Sequence, residues 1–104
     1  MATNVATFDQ DPTRVTFYLK KRCDIDKIIL KHHENPAYRT SDYTVLGSND
    51  KKVWKEIAQI QDNHELYNVM EIENARYKYV QFLFTKPNRL DNYFRIFLIE
   101  IWGK

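Results

Sequence analysis

Five or more short runs of β-branched and aromatic residues, separated by polar turns, constrain this chain more than any other feature of its sequence. In residues 15–20, Val15, Phe17 and Leu19 alternate with Thr16, Tyr18 and Lys20. In residues 76–84, Lys78, Val80, Phe82 and Phe84 alternate with Tyr77, Tyr79, Gln81 and Leu83. Residues 25–30 and 43–46 form shorter apolar runs, and residues 94–102 place Phe97, Ile99 and Ile101 on one face, with Arg95 and Glu100 on or near the other. A period of two marks a half-buried strand, because successive side chains of an extended backbone point to opposite faces. With only two glycines, Gly47 and Gly103, the turns must rest on Asn, Asp and the three prolines. Asn and Asp tolerate left-handed backbone, and Pro presets φ. Such signals fall at residues 9–12, 20–24, 35–36, 48–50, 62–63, 86–88 and 91–92. Short strands at this spacing predict an all-β sandwich or barrel. The 104 residues fit one domain, 1–104, with residues 1–14 irregular or forming a first short strand.

Residues 53–60 are ambiguous. Val53, Ile57 and Ile60 recur at helical spacing, with Trp54 and Ala58 as a second stripe, and periodicity alone does not choose between helix and strand.

Charge and cysteine content exclude several functions. Sixteen basic residues against fourteen acidic leave a net charge of +2, too little for a nucleic-acid binder, whose affinity comes from neutralising phosphates. The basic clusters Lys20-Lys21-Arg22 and Lys51-Lys52 are each followed by acids and read as solvated turns. Cys23 is the only cysteine, so neither an internal disulfide nor a Cys-rich zinc site is expected. No apolar stretch approaches the ~20 residues of a membrane span, and residues 1–11 lack the pattern of a secretory signal. These features are compatible with the cytoplasm, or with a domain cut from a longer secreted protein.

Catalytic apparatus is scarce, and no enzyme is expected. Ser41 and Ser48 are flanked by turn residues, Cys23 has no histidine nearby in sequence, and nothing sets a separation between Glu34 and Asp42. Two isolated glycines build no phosphate loop. His32-His33-Glu34 is a poor metal site, since adjacent strand residues point to opposite faces.

The order of motifs resembles the discoidin family, also called coagulation factor 5/8 type C domains, which is related to bacterial carbohydrate-binding modules. Its clearest carrier is Tyr43-Thr44-Val45-Leu46-Gly47-Ser48-Asn49-Asp50-Lys51-Lys52-Val53-Trp54-Lys55-Glu56-Ile57, a strand led by Tyr, a polar turn, a Trp and a second strand. Asn74-Ala75-Arg76-Tyr77-Lys78-Tyr79-Val80 and Ile99-Glu100-Ile101-Trp102-Gly103 are similar to later strands, and residues 15–19 with 25–30 to an earlier pair. The resemblance implies a jelly-roll-like sandwich of two antiparallel sheets, shortened at the N-terminus. It makes residues 54–60 a strand and Trp54 and Tyr77 core residues. A shortened N-terminus would leave a sheet edge exposed, and with it the expectation of a homodimer.

The resemblance also places sites. Asp9 and Asp11 are a shortened echo of a family calcium loop, but an Asx-Pro turn accounts for residues 9–13 better, and no calcium or other cofactor is expected. The family's sugar-binding relatives carry ligand residues on loops at one end of the sandwich. Here those loops correspond to residues 31–41 and 86–93, with His32, His33, Asn35, Tyr38, Arg39, Asn88, Arg89 and Tyr93 as candidates. An aromatic face would pack on a pyranose while Arg, His and Asn bond its hydroxyls, although the family's Arg and Asn do not recur at matched positions. The expectation is a lectin-like recognition module for carbohydrate. The alternative is an intracellular protein–protein interaction domain of the same fold.

Overall fold

The computed structural model describes residues 2–3, 14–87 and 96–103. These contain β1 (Ala2–Thr3), β2 (Arg14–Lys31), β3 (Asp42–Ser48), β4 (Lys55–Ile60), β5 (Tyr67–Lys86) and β6 (Leu98–Gly103). The strands hydrogen-bond in the order β1-β6-β2-β5-β3-β4, and each pairing is antiparallel.

Strand length dictates the architecture. β2 has 18 residues and β5 has 20; at ~3.3 Å per residue each would run about 60 Å if straight. The longest extent of the molecule is 38 Å, so both strands bend. Tyr18 pairs with Tyr79 and Cys23 with Tyr77, which leaves residues 19–22 opposite residue 78 alone. Lys20 there takes a left-handed φ of 68°. A second irregularity separates Ile25 from Lys27 and faces Asn74, at φ 56°. Extra residues of this kind increase local twist and turn the strand.

Beyond the bends β2 and β5 continue in a second layer. One layer holds β4, β3, residues 79–86 of β5 and residues 14–18 of β2. The other holds residues 67–76 of β5, residues 24–31 of β2, β6 and β1. The two antiparallel layers expected of a sandwich are therefore halves of one sheet folded over itself. The expected turn at residues 20–24 is a bend inside β2.

The core lies between the layers. Val15, Phe17, Val45, Val80, Phe82 and Phe84 face Ile28, Leu30, Met70, Ile99 and Ile101, all buried. Phe17 meets Phe82 edge to face, with centroids 5.7 Å apart, a geometry worth about 0.5–1.5 kcal/mol beyond the area it buries. The second bend also flips side-chain parity: Ile25 and Ile28 are both buried although three residues apart, which unbroken alternation forbids.

Residues 54–60 resolve largely as expected. Lys55–Ile60 is a strand, pairing with β3, and Ile57, Ala58 and Ile60 pack partly against the core. Trp54 is a correction: it precedes the strand, is only half-buried and stands outside the core cluster. Tyr77 fills the inner position instead, against a glycine whose hypothetical Cβ would lie 2.5 Å from its ring, Gly47. The turn before Trp54 is built without glycine. Ser48 Oγ accepts from the Lys51 amide at 2.9 Å, and Asp50 Oδ1 accepts from the Lys52 and Val53 amides at 2.8 and 3.0 Å. Those backbone donors, Val53 first, hold the Asp50 carboxyl below its ordinary pKa.

Candidate functional site

The end of the sandwich where β2 and β5 finish and β3 and β6 begin forms a connected rim. Backbone bonds tie its segments together: His32 N to Leu66 O at 2.8 Å, Ser41 N to Pro87 O at 2.6 Å, Asn63 N to Ser41 O at 2.9 Å and Phe97 N to Lys31 O at 2.9 Å. The β2–β3 connection is further shaped by a short 3₁₀ turn, Pro36–Tyr38. Asn35 caps it, its Oδ1 accepting from the Ala37 amide at 3.0 Å, as a short polar side chain does at a helix start.

Arg39 fastens this loop. Its Nε donates to the His33 carbonyl at 2.9 Å, Nη1 to the His64 carbonyl at 2.8 Å and Nη2 to the Glu34 carbonyl at 2.8 Å. A planar guanidinium is the one side chain that presents such a rigid fan of donors. The cation expected to meet a ligand thus commits three of its donors to main-chain carbonyls and joins the β2–β3 loop to the β4–β5 loop.

His33, half-buried, sits between the other two rings of the rim. Its ring lies 5.1 Å from that of Tyr38 and 5.3 Å from that of Phe97. His33 Nδ1 accepts from the Asn35 amide at 2.9 Å, so in the neutral ring the proton sits on Nε2. Phe97 is 56% exposed. The sequence placed Phe97 on one face with Ile99 and Ile101; in the structure it precedes β6, and only the two isoleucines turn inward.

His32 points the other way. It is fully buried, and its Nε2 lies 2.5 Å from Asn68 Oδ1. The same oxygen accepts from Tyr43 Oη at 2.7 Å, Asn68 Nδ2 donates to Asn63 Oδ1 at 2.9 Å, and Asn63 Nδ2 donates to the Thr40 carbonyl at 3.1 Å. With Tyr43 donating to Asn68 Oδ1, His32 bonds it as the neutral Nε2–H tautomer. Burial holds its pKa below the ordinary 6.5, with the charge of Arg39 acting in the same direction and the bond to Asn68 opposing. As a surface ligand contact His32 is therefore a correction: the alternation that leaves His33 half-buried on the rim buries His32. Asn63 and Asn68 were missed as members of this network. Asn68 carried a signal, since it shares the buried parity of Met70 and Ile72 in a stretch the sequence reading left unassigned.

Of the candidate residues, the structure brings His33, Asn35, Tyr38 and Arg39 together on the rim and places His32 beneath them. Asn88, Arg89 and Tyr93 lie outside the described residues, as do Asp9 and Asp11. Among the described residues no three His, Cys, Asp or Glu side chains are grouped to hold a metal, and no helix is long and apolar enough to cross a membrane.

Solved structures share this fold. The family 32 carbohydrate-binding module of EndoD from Streptococcus pneumoniae superposes with a TM-score of 0.76 at 13% identity, covering 88% of this chain and 69% of that one. Chitosan-binding module 1 from a chitosanase/glucanase of Paenibacillus sp. IK-5 gives 0.72 at 20% identity, covering 98% and 76%. A Clostridium perfringens module, CpGH89CBM32-5, solved in complex with GalNAc-β-1,3-galactose, gives 0.73 at 10% identity, covering 86% and 65%. No curated protein sequence is similar enough to match. At these identities the likeness establishes the fold. The sequence itself matches the F5/F8 type C model described as a NedA-like, galactose-binding domain over residues 2–82, and since that span is most of the chain, the protein belongs to the F5/F8 type C family of galactose-binding-like domains.

Proposed function

We propose that this chain is a non-catalytic carbohydrate-binding module that receives a glycan on the rim formed by residues 33–39 and Phe97. The observation that carries the reading is the aromatic group Tyr38–His33–Phe97, with Phe97 half in solvent and the loop beneath it fastened by Arg39. An exposed ring in a pre-formed loop suits the apolar face of a pyranose, and the Nε2–H of His33 supplies a donor for a hydroxyl beside it. Immobilising the loop in advance lowers the entropy lost on binding. The fold supports the reading, since structures sharing it are carbohydrate-binding modules.

A glycan array probed with the wild-type chain, Phe97→Ala and Tyr38→Ala tests it. The expected result is a set of glycan hits lost in both variants while the melting temperature stays within about 2 °C of wild type, since neither ring is in the buried core. A silent array with an intact fold rejects the reading. In that case a single protein captured stoichiometrically through the same rim establishes the protein-interaction alternative.

A further inference from the structure

A second concave surface lies away from the rim, on the outer face of the β4–β3–β5–β2 layer. Its floor is set by strand register: Tyr18 is paired with Tyr79, and Thr16 with Gln81. Because Val15, Phe17 and Val80 point into the core, these four side chains point out. Tyr18 and Tyr79 stack with centroids 5.2 Å apart and ring planes 22° from parallel, and Tyr18 is 57% exposed. Gln81 Nε2 donates to Thr16 Oγ1 at 3.1 Å. Trp54 and Lys51, from the β3–β4 connection, wall the floor on one side, and Arg14 joins from the start of β2. Together these residues enclose a groove of about 400 Å³, within the ~300–1,000 Å³ typical of ligand sites.

Two features separate this groove from an ordinary solvated sheet face. Cross-strand tyrosines stabilise antiparallel pairs by themselves, so Tyr18 and Tyr79 alone would require no ligand. Trp54, however, belongs to no strand and stands outside the core, yet it is held against the same hollow. The charged lining is also one-sided: Arg14 and Lys51 are cationic, and no acidic side chain lines the groove among the described residues. Lys51 Nζ already sits 5.1 Å from the Tyr79 ring centroid, where a ligand anion would meet cation and aromatic face together.

We infer that this groove binds an anionic oligosaccharide of the uronic-acid class. Its pyranose faces stack on Tyr18 and Trp54, its hydroxyls meet Thr16 and Gln81, and its carboxylates meet Arg14 and Lys51. The choice of a saccharide rests on the function proposed above; the location does not. A single-stranded polynucleotide also combines rings with anions, but it demands a run of phosphate contacts, and two cations in a chain of net charge +2 favour the sugar.

The test uses the full chain carrying Trp102→Phe, which leaves Trp54 as the only tryptophan. Titration with trigalacturonate should change Trp54 fluorescence saturably. Its fully methyl-esterified form should bind about tenfold more weakly or worse, as loss of a charge-assisted contact requires. Tyr18→Ala should abolish trigalacturonate binding. Lys51→Gln, a surface change that leaves the fold alone, should weaken it about tenfold and flatten its salt dependence. Phe97→Ala should leave it unchanged. The inference is overturned by no saturable response to trigalacturonate, by equal binding of the ester, or by tighter binding of a deoxythymidine decamer than of the uronate. Loss of binding in Phe97→Ala with retention in Tyr18→Ala overturns it too, because the ligand would then occupy the rim and the rim proposal would stand alone.

Discussion

Mild acid should weaken this fold through His32. His32 is fully buried and neutral, bonded through Nε2 to Asn68, and burial keeps its folded-state pKa below the 6.5 of an unfolded chain. Above pH 6.5 both states hold the ring neutral, and its contribution to stability is fully present. As pH falls below 6.5 the unfolded chain takes up a proton that the folded chain refuses, so stability falls by about 1.4 kcal/mol per pH unit until the folded pKa is reached. For a domain of this size each such pH unit lowers the melting temperature by about 6–11 °C. Thermal melts between pH 8 and 5 should show a plateau down to the high sixes and a steady decline below. His32→Gln, which keeps an N–H donor for Asn68 and cannot titrate, should remove most of that decline while leaving the plateau little changed. A wild-type melting temperature that is flat to pH 5, or an equal decline in His32→Gln, would refute the account. Asp50 does not confuse the measurement: its carboxyl titrates below its ordinary 3.8, so the stability it supplies is lost only in much stronger acid.

Two further substitutions probe the framework. Arg39→Ala removes three charge-assisted bonds to carbonyls and should cost about 2–3 kcal/mol after allowance for its partial exposure; Arg39→Lys, a point donor in place of a fan, should recover less than half in urea melts. A methyl group at Gly103 would run into the Asp24 carbonyl oxygen on the neighbouring strand, so Gly103→Ala should destabilise by about 1–3 kcal/mol by the same assay.

How much of this was legible beforehand varies from residue to residue. The runs around Val15–Leu19 and Val80–Phe84 declared themselves by period two, and both bury the side chains that the period selects. Tyr67–Ile72 has the same alternation, but exposes Tyr67 and Val69 while burying Asn68, so its polarity reads backwards at half its positions and hid the first half of β5. Trp54 was expected in the core from the resemblance; its position just ahead of β4 leaves it on the outer face. Residues 32–41 form a loop, as expected, yet the sequence alone did not separate a half-buried His33 from a buried His32, or show that Arg39 clamps the loop.

Alternation and turn chemistry determined from the sequence alone that this chain is a small all-β protein, and the order of its motifs carried the resemblance to F5/F8 type C domains. Those are properties of neighbouring residues, so a linear reading reaches them. Tertiary structure decided where β2 and β5 bend, which parity each bend reverses, and which side chains those reversals leave facing solvent. A bend exists only because two strands too long for the molecule must pair along both halves, and that condition is set between segments about 50 residues apart.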